Sequence, residues 1–186
     1  MRWEIDLPEF QRVAHNSYRG KIMSTHPFDK LTVKNDISFL FTPCPGIKDA
    51  SLVDSISQLK AAGASAVVTL MSDEELEENN ASTLGEVCNN QDITWFQLPI
   101  SDDKGPDERF FDAWHKQKSA LLTLLNNSAT FAVHCKGGSG RTGLMIAILL
   151  FELGYSKAEA KEKVQAMRPK ALSKPDQVSF YELYQS

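Results

Sequence analysis

The sequence predicts an α/β protein built in three layers, with a central, mostly parallel sheet flanked by helices. Three observations lead there. Short apolar runs alternate with segments whose apolar residues recur at helical spacing, the pattern of a sheet covered on both faces. Gly, Pro, Asn and Ser punctuate those segments at nearly every junction. Finally, 42% of the 186 residues are hydrophobic and 24% are charged, the balance of an ordinary globular domain rather than of a disordered chain.

Each element has its own signature. Residues 1 to 35 mix Pro, His, Asn and Gly with few periodic apolar positions, and we expect an irregular leader packed on a domain of residues 36 to 186. Ile37 to Thr42 (ISFLFT) reads as a strand closed by Pro43-Cys44-Pro45-Gly46. Apolar residues at 52, 53, 56 and 59 place a helix over Leu52 to Ala62, ended by Gly63. Ala66 to Met71 is a buried strand by composition. Ser72-Asp73-Glu74-Glu75 resembles a capping box opening an acidic helix, whose charges we read as a solvated face. A helix over Thr83 to Asn90, a strand over Ile93 to Leu98 and an acidic loop from Ile100 to Asp107 follow. Phe110 to Leu125 is amphipathic, Phe131 to His134 a strand, and Thr142 to Leu153 a helix closed by Gly154. Ser156 caps a helix running to Met167, which Arg168-Pro169 stops, and a last helix follows Pro175.

The net charge of −4 excludes a molecule built to coat nucleic acid, so any bound anion must be gripped locally. Cys44, Cys88 and Cys135 form no CxxC pair, which argues against zinc and against a redox dithiol. Their odd number fits a reducing compartment. The opening MRWEIDLPEF has no apolar h-region, and the strongly apolar run Leu144 to Phe151 is too short to span a bilayer. We therefore expect a cytoplasmic monomer without stable membrane association, metal or cofactor.

The most informative stretch is HCKGGSGRTG, residues 134 to 143, between a strand and a helix. Ligands of such sheets bind beyond the carboxyl ends of the strands, where this stretch falls. Gly137, Gly138 and Gly140 leave no Cβ in the way, so successive N–H groups of Lys136 to Arg141 can converge as an anion nest, with Ser139 among them. The following helix adds its positive dipole end, and Arg141 offers a planar fork to two oxygens of one anion. Cys135 lies at the floor of that nest, and helix N-termini and cations favour the thiolate form of such a thiol. The Thr142 hydroxyl is placed to donate to the sulfur, and His134 to hold the loop or add to its field. A Walker A loop would need Lys-Ser/Thr at its end, and a dinucleotide loop would need an open approach where Arg141 stands.

On these residues the chain resembles the cysteine-dependent protein tyrosine phosphatase superfamily, whose signature is His-Cys-x5-Arg-Ser/Thr. The likeness extends over about residues 38 to 185: "TPCPGIKD", "VVTLMSDEEL" and "FQLPISDDKGPD" look like the cyclin-dependent-kinase-associated phosphatases of the dual-specificity group. That resemblance implies a phosphomonoester hydrolase acting through a phosphocysteine on a phosphorylated protein or small phosphate ester. Cys135 would be the nucleophile, Arg141 the anion ligand and Asp102 the general acid, with Asp103 and Asp107 as alternatives for the acid. Relatives position the hydrolytic water with a glutamine where this chain has Ser173, with Gln177 four residues on. Some relatives also carry a second cysteine where this chain has Met71. Lys136 leaves phosphoinositide or inositol-phosphate substrates open. A binding module without turnover and a rhodanese-like sulfur transferase are the rivals from other classes.

Overall fold

The computed structural model describes residues 24–185. Most of the 1-to-35 segment lies outside the described residues. Within the part described, Asp29–Thr32 form a strand, β1, where the sequence suggested irregular chain. It runs antiparallel to β2 (Ser38–Pro43), pairing Asp29 with Phe41 and Thr32 with Ser38. The rest follows the predicted alternation: α1 (Leu52–Ala61), β3 (Ala64–Thr69), α2 (Asp73–Glu78), α3 (Leu84–Asn89), β4 (Thr94–Gln97), α4 (Glu108–Asn126), β5 (Thr130–Cys135), α5 (Gly140–Glu152), α6 (Lys157–Met167) and α7 (Pro175–Leu183).

The five strands lie in the order β1-β2-β5-β3-β4, and every pair except β1 with β2 is parallel. Because strand side chains alternate between faces, the two sides bury different sets. Leu40, Val67 and Ala132 meet Ile56, Leu59, Leu84 and Cys88 from α1 and α3. Phe39, Phe41, Val68, Phe131 and Val133 meet the larger layer of α4 to α7. The three-layer αβα architecture expected from the sequence is therefore the one observed.

Caps set the helix boundaries. The Ser51 and Ser72 hydroxyls accept from Asp54 N and Glu75 N, and Ser156 with Glu159 forms a reciprocal capping box. The Asp107 carboxylate accepts from Arg109 N at the start of α4. Helix α5 is buried on all sides from Arg141 to Leu150, the mark of a helix enclosed within a core rather than lying on its surface. It sits between β5 and α6, so its first turn is fixed directly above the carboxyl end of the central strand. The carboxyl ends of β2, β3 and β4 converge on the same edge, bringing residues 43–45, 70–75 and 98–103 around residue 135.

Candidate active site

Cys135 ends β5 and is 4% exposed. Its sulfur accepts from Gly138 N at 3.3 Å and from Thr142 Oγ1 at 3.4 Å. The chain turns over it because Gly138 adopts φ +74 and because nothing larger fits. A Cβ on Gly138 would stand 2.6 Å from the carbonyl carbon and oxygen of Thr42. The outside of the turn is braced by Arg168, whose Nε donates to Gly138 O at 3.2 Å and whose Nη2 donates to Phe41 O at 3.3 Å. Its Nη1 pairs with Asp29 of β1. Cys44 N donates to Lys136 O at 3.1 Å and joins the loop to the end of β2.

Arg141 is 1% exposed although charged. The end of its guanidinium is held in a fork by Glu75, with Nη1 to Oε2 at 2.6 Å and Nη2 to Oε1 at 2.8 Å. Nη1 also donates to Ile100 O at 3.0 Å. Burial works against the cation, but the Glu75 hydrogen bonds, Cys135, and the charges of Glu75 and Asp102 outweigh it and hold its pKa above the ordinary guanidinium range. The side edge of the fork is treated differently. Nε is buried with no partner among the described residues, and Nη2 faces Asp102 Oδ1 at 3.3 Å. An orphaned buried donor next to a displaceable carboxylate is the mark of a place that an oxyanion fills.

The acid loop assigns distinct surroundings to its three carboxylates. Asp102 is 70% exposed and reaches over the nest to Arg141. Asp103 pairs with Lys174 at 3.0 Å on the far side of the cleft. Asp107 caps α4 and pairs with Arg109 at 2.8 Å, while Arg109 in turn donates to Ser101 Oγ at 2.6 Å. Of the three, Asp102 alone is within ion-pair distance of Arg141.

His134 is fully buried. Its Nε2 lies 2.8 Å from Thr69 Oγ1, and that hydroxyl already accepts from Trp95 Nε1 at 2.8 Å. A hydroxyl oxygen can accept from both nitrogens, so this contact is compatible with either tautomer of His134. Burial drives the imidazole pKa down to about 3, so His134 is neutral and adds no cationic field. Its part is to hold the strand end beneath Cys135.

Two groups here escaped sequence reasoning. Glu75 was read as one charge of a solvated helix face, yet it is the partner of Arg141. Cys44, which follows the Pro43 that pairs with Cys135, was assigned no part; Met71 is buried beside it in a small apolar cluster. Burial, then the charges of Glu75 and Cys135, push the Cys44 thiol up to about 12, so it stays protonated. Gln177 is buried at 1% exposure on the cleft wall, with Oε1 unpartnered and 3.5 Å from where a Gly140 Cβ would stand. Ser173 is exposed, and its hydroxyl donates to Lys170 O at 2.7 Å.

A thiol at the floor of an amide cradle, with a buried guanidinium beside it and an exposed carboxylate over that guanidinium's side edge, is the constellation of a cysteine-dependent phosphatase. The comparisons with known proteins agree. Residues 46–180 match the family described as "PTP-SAK: Swiss Army Knife protein, DSP-PTPase phosphatase domain". The chain belongs to that family, within the protein tyrosine and dual-specificity superfamily. It is 32% identical over 119 residues to the PRL-1 phosphatase of Drosophila melanogaster, covering 59% of this chain and 66% of that protein, just under two thirds. A crystal structure of kinase associated phosphatase, with its catalytic-site cysteine replaced by serine, superposes at a TM-score of 0.70 with 21% identity over 85% of this chain and 93% of that one. Human DUSP28 superposes at 0.58 with 15% identity, covering 86% and 93%. No helix among the described residues is long and apolar enough to cross a membrane.

Proposed function

We propose that the protein hydrolyses phosphomonoesters on phosphorylated protein side chains, in two steps through a phosphocysteine. The phosphoryl group enters the nest formed by Lys136 to Arg141. Two of its oxygens take the Arg141 side edge, where Nε has no partner among the described residues and Asp102 stands in for the anion. That edge is the single observation that carries the reading. Displaced from Arg141, the Asp102 carboxyl is free to face the leaving oxygen. Cys135 Sγ, as the thiolate, forms a bond to phosphorus as the ester P–O bond breaks, and Asp102, in its protonated carboxyl form, gives its proton to the departing oxygen. In the second step Asp102, now a base, takes a proton from water. The water oxygen bonds to phosphorus, and the sulfur leaves as thiolate, stabilised by the Thr142 hydroxyl. Gln177, buried over Gly140, is better placed than Ser173 to orient that water, because the Ser173 hydroxyl is already committed to Lys170 O. Residues 36 to 186 are read as the catalytic domain and the cytoplasm as its location, in keeping with three free cysteines.

The test is hydrolysis of p-nitrophenyl phosphate and of phosphotyrosine, phosphoserine and phosphothreonine peptides. Cys135→Ser is expected to abolish all of it. Asp102→Asn should lower kcat on the alkoxide leaving groups by about 10²–10⁴-fold, the usual weight of positioned proton transfer, and less on p-nitrophenolate. Wild-type rates from Cys135→Ser would overturn the nucleophile. Peptide binding without phosphate release by the wild type would favour a binding module instead.

A further inference from the structure

The end of β2 forms the back wall of the cradle. Cys44 N donates to Lys136 O at 3.1 Å. The peptide joining Thr42 to Pro43 fills the space where a Gly138 Cβ would stand, with the Thr42 carbonyl at 2.6 Å and Pro43 N at 2.7 Å. Gly138 N–H donates to Cys135 Sγ, so the direction of that bond depends on where this peptide lies. What holds the peptide is the Thr42 side chain.

That side chain lies two residues on from Leu40 and so on the α1 side of the sheet. Three groups converge on its buried hydroxyl: His26 Nε2 at 2.5 Å, Pro27 O at 3.0 Å and Pro43 O at 3.2 Å. Both carbonyls can only accept, and the hydroxyl has one proton. Were Nε2 bare, three acceptors would compete for that proton. The imidazole N–H would then sit on Nδ1, a buried atom with no partner among the described residues. The satisfied arrangement has Nε2–H donating to Thr42 Oγ1 while the hydroxyl donates to a carbonyl. His26 is not ordinary core. Thr25, Pro27 and Phe28 around it are exposed, and only the imidazole turns inward. Gln58 of α1 clasps the backbone there: its Oε1 accepts from His26 N at 2.8 Å, and its Nε2 donates to Ser24 O at 3.0 Å. Burial lowers the imidazole pKa to about 4, a cost that an apolar side chain filling the same space would not carry.

We propose that His26 is a positioning residue for the hydrolysis: its N–H fixes Thr42, Thr42 fixes the peptide behind Gly138, and that peptide keeps the Gly138 N–H on the Cys135 sulfur. The inference rests on the phosphatase reading above and adds to it a residue that does not line the cleft. Its effect falls on the sulfur, which is the nucleophile of the first step and the leaving group of the second. The phosphoryl oxygens are gripped elsewhere, by Arg141 and the other amides of the loop, so their binding does not depend on His26.

The experiment uses the full chain and p-nitrophenyl phosphate, with competitive inhibition by inorganic phosphate and thermal melts alongside. His26→Phe fills the space without an N–H and should lower kcat by about tenfold, since a small misplacement set up far from the reacting atoms costs up to about a hundredfold. Its inhibition constant for inorganic phosphate should stay within about twofold of wild type. His26→Gln, whose side-chain amide can donate to Thr42 Oγ1, should recover kcat to within about threefold of wild type. Thr42→Val removes the hydroxyl from the other side. It should match His26→Phe, and the double variant should lose no more than either single one. Should His26→Phe fail to fold, Thr42→Val takes its place in the comparison with His26→Gln. Wild-type kcat in Thr42→Val, equal losses in His26→Gln and His26→Phe, or additive losses in the double variant would each overturn the role. So would a loss of kcat that disappears well below the melting temperature. Failure of the underlying reading shows separately, as p-nitrophenyl phosphate hydrolysis that survives Cys135→Ser.

Discussion

Arg141 carries a full charge at 1% exposure, and a cation so placed persists only if it is paired and oriented. Glu75 does both: its two oxygens fix the end of the guanidinium and leave the side edge for the substrate. Glu75→Gln keeps the shape but removes the charge and one acceptor. It is expected to lower kcat/KM by about tenfold or more and to reduce stability by about 2 kcal/mol. Paired turnover and denaturant-unfolding measurements check this; unchanged phosphate affinity would show that Arg141 orients itself. At this scale the sequence was readable where function compresses into one run. Cys135, Arg141 and Thr142 stand at fixed offsets, and Asp102 in a loop of recognisable composition. Glu75 was hidden because it is one acid among several and its contact spans 66 positions of chain. No periodicity singles it out.

The turn from β5 into α5 depends on two close approaches that a side chain would block. At Gly138 the Thr42 carbonyl occupies the Cβ position, and at Gly143 the Ala171 Cβ would lie 2.3 Å away. Gly138→Ala is expected to open the cradle and reduce turnover at least about a hundredfold, because its N–H must point at the sulfur. Gly143→Ala should act mainly on the packing of α5 against the 170s loop, costing about 1–3 kcal/mol with KM for p-nitrophenyl phosphate little changed. Thermal melts and steady-state kinetics on the two variants separate these effects. The helices and the parallel strands were legible from spacing and caps, since each buries a stripe or a whole run. Strand β1 was not. It has four residues, DKLT, of which only Leu31 is part-buried and the others are exposed, so its membership in the sheet comes from backbone pairing with β2 and leaves no apolar pattern.

At the scale of the whole molecule, two histidines buried among the described residues tie stability to pH. His26 contacts Thr42 Oγ1 at 2.5 Å, and burial lowers its pKa to about 4; His134, under the active loop, falls to about 3. Both pKa values lie below the ordinary 6.5, so the unfolded chain binds protons that the folded one refuses. Their contribution is complete above pH 6.5 and is lost as the pH falls towards 4 and then 3. Urea unfolding at a series of pH values should show stability declining below neutrality by a few kcal/mol. His134→Asn should flatten the lower part of that decline; an unchanged slope would mean that the imidazole is accessible. These values follow from layers closing over side chains, which the scattered positions of the four histidines in the sequence do not display.

One guanidinium, that of Arg168, joins three pieces of backbone far apart in the chain: the edge strand through Asp29, its neighbour through Phe41 O, and the cradle through Gly138 O. The periphery of the sheet is thereby wired to its chemical centre, although no residue of β1 lines the cleft over Cys135. Weakening that outer anchor, as in Asp29→Asn, should let the Gly138 carbonyl swing inward more often, and the enzyme would idle in conformations unable to capture phosphate. The signature is a raised KM for p-nitrophenyl phosphate with kcat at saturation nearly unchanged.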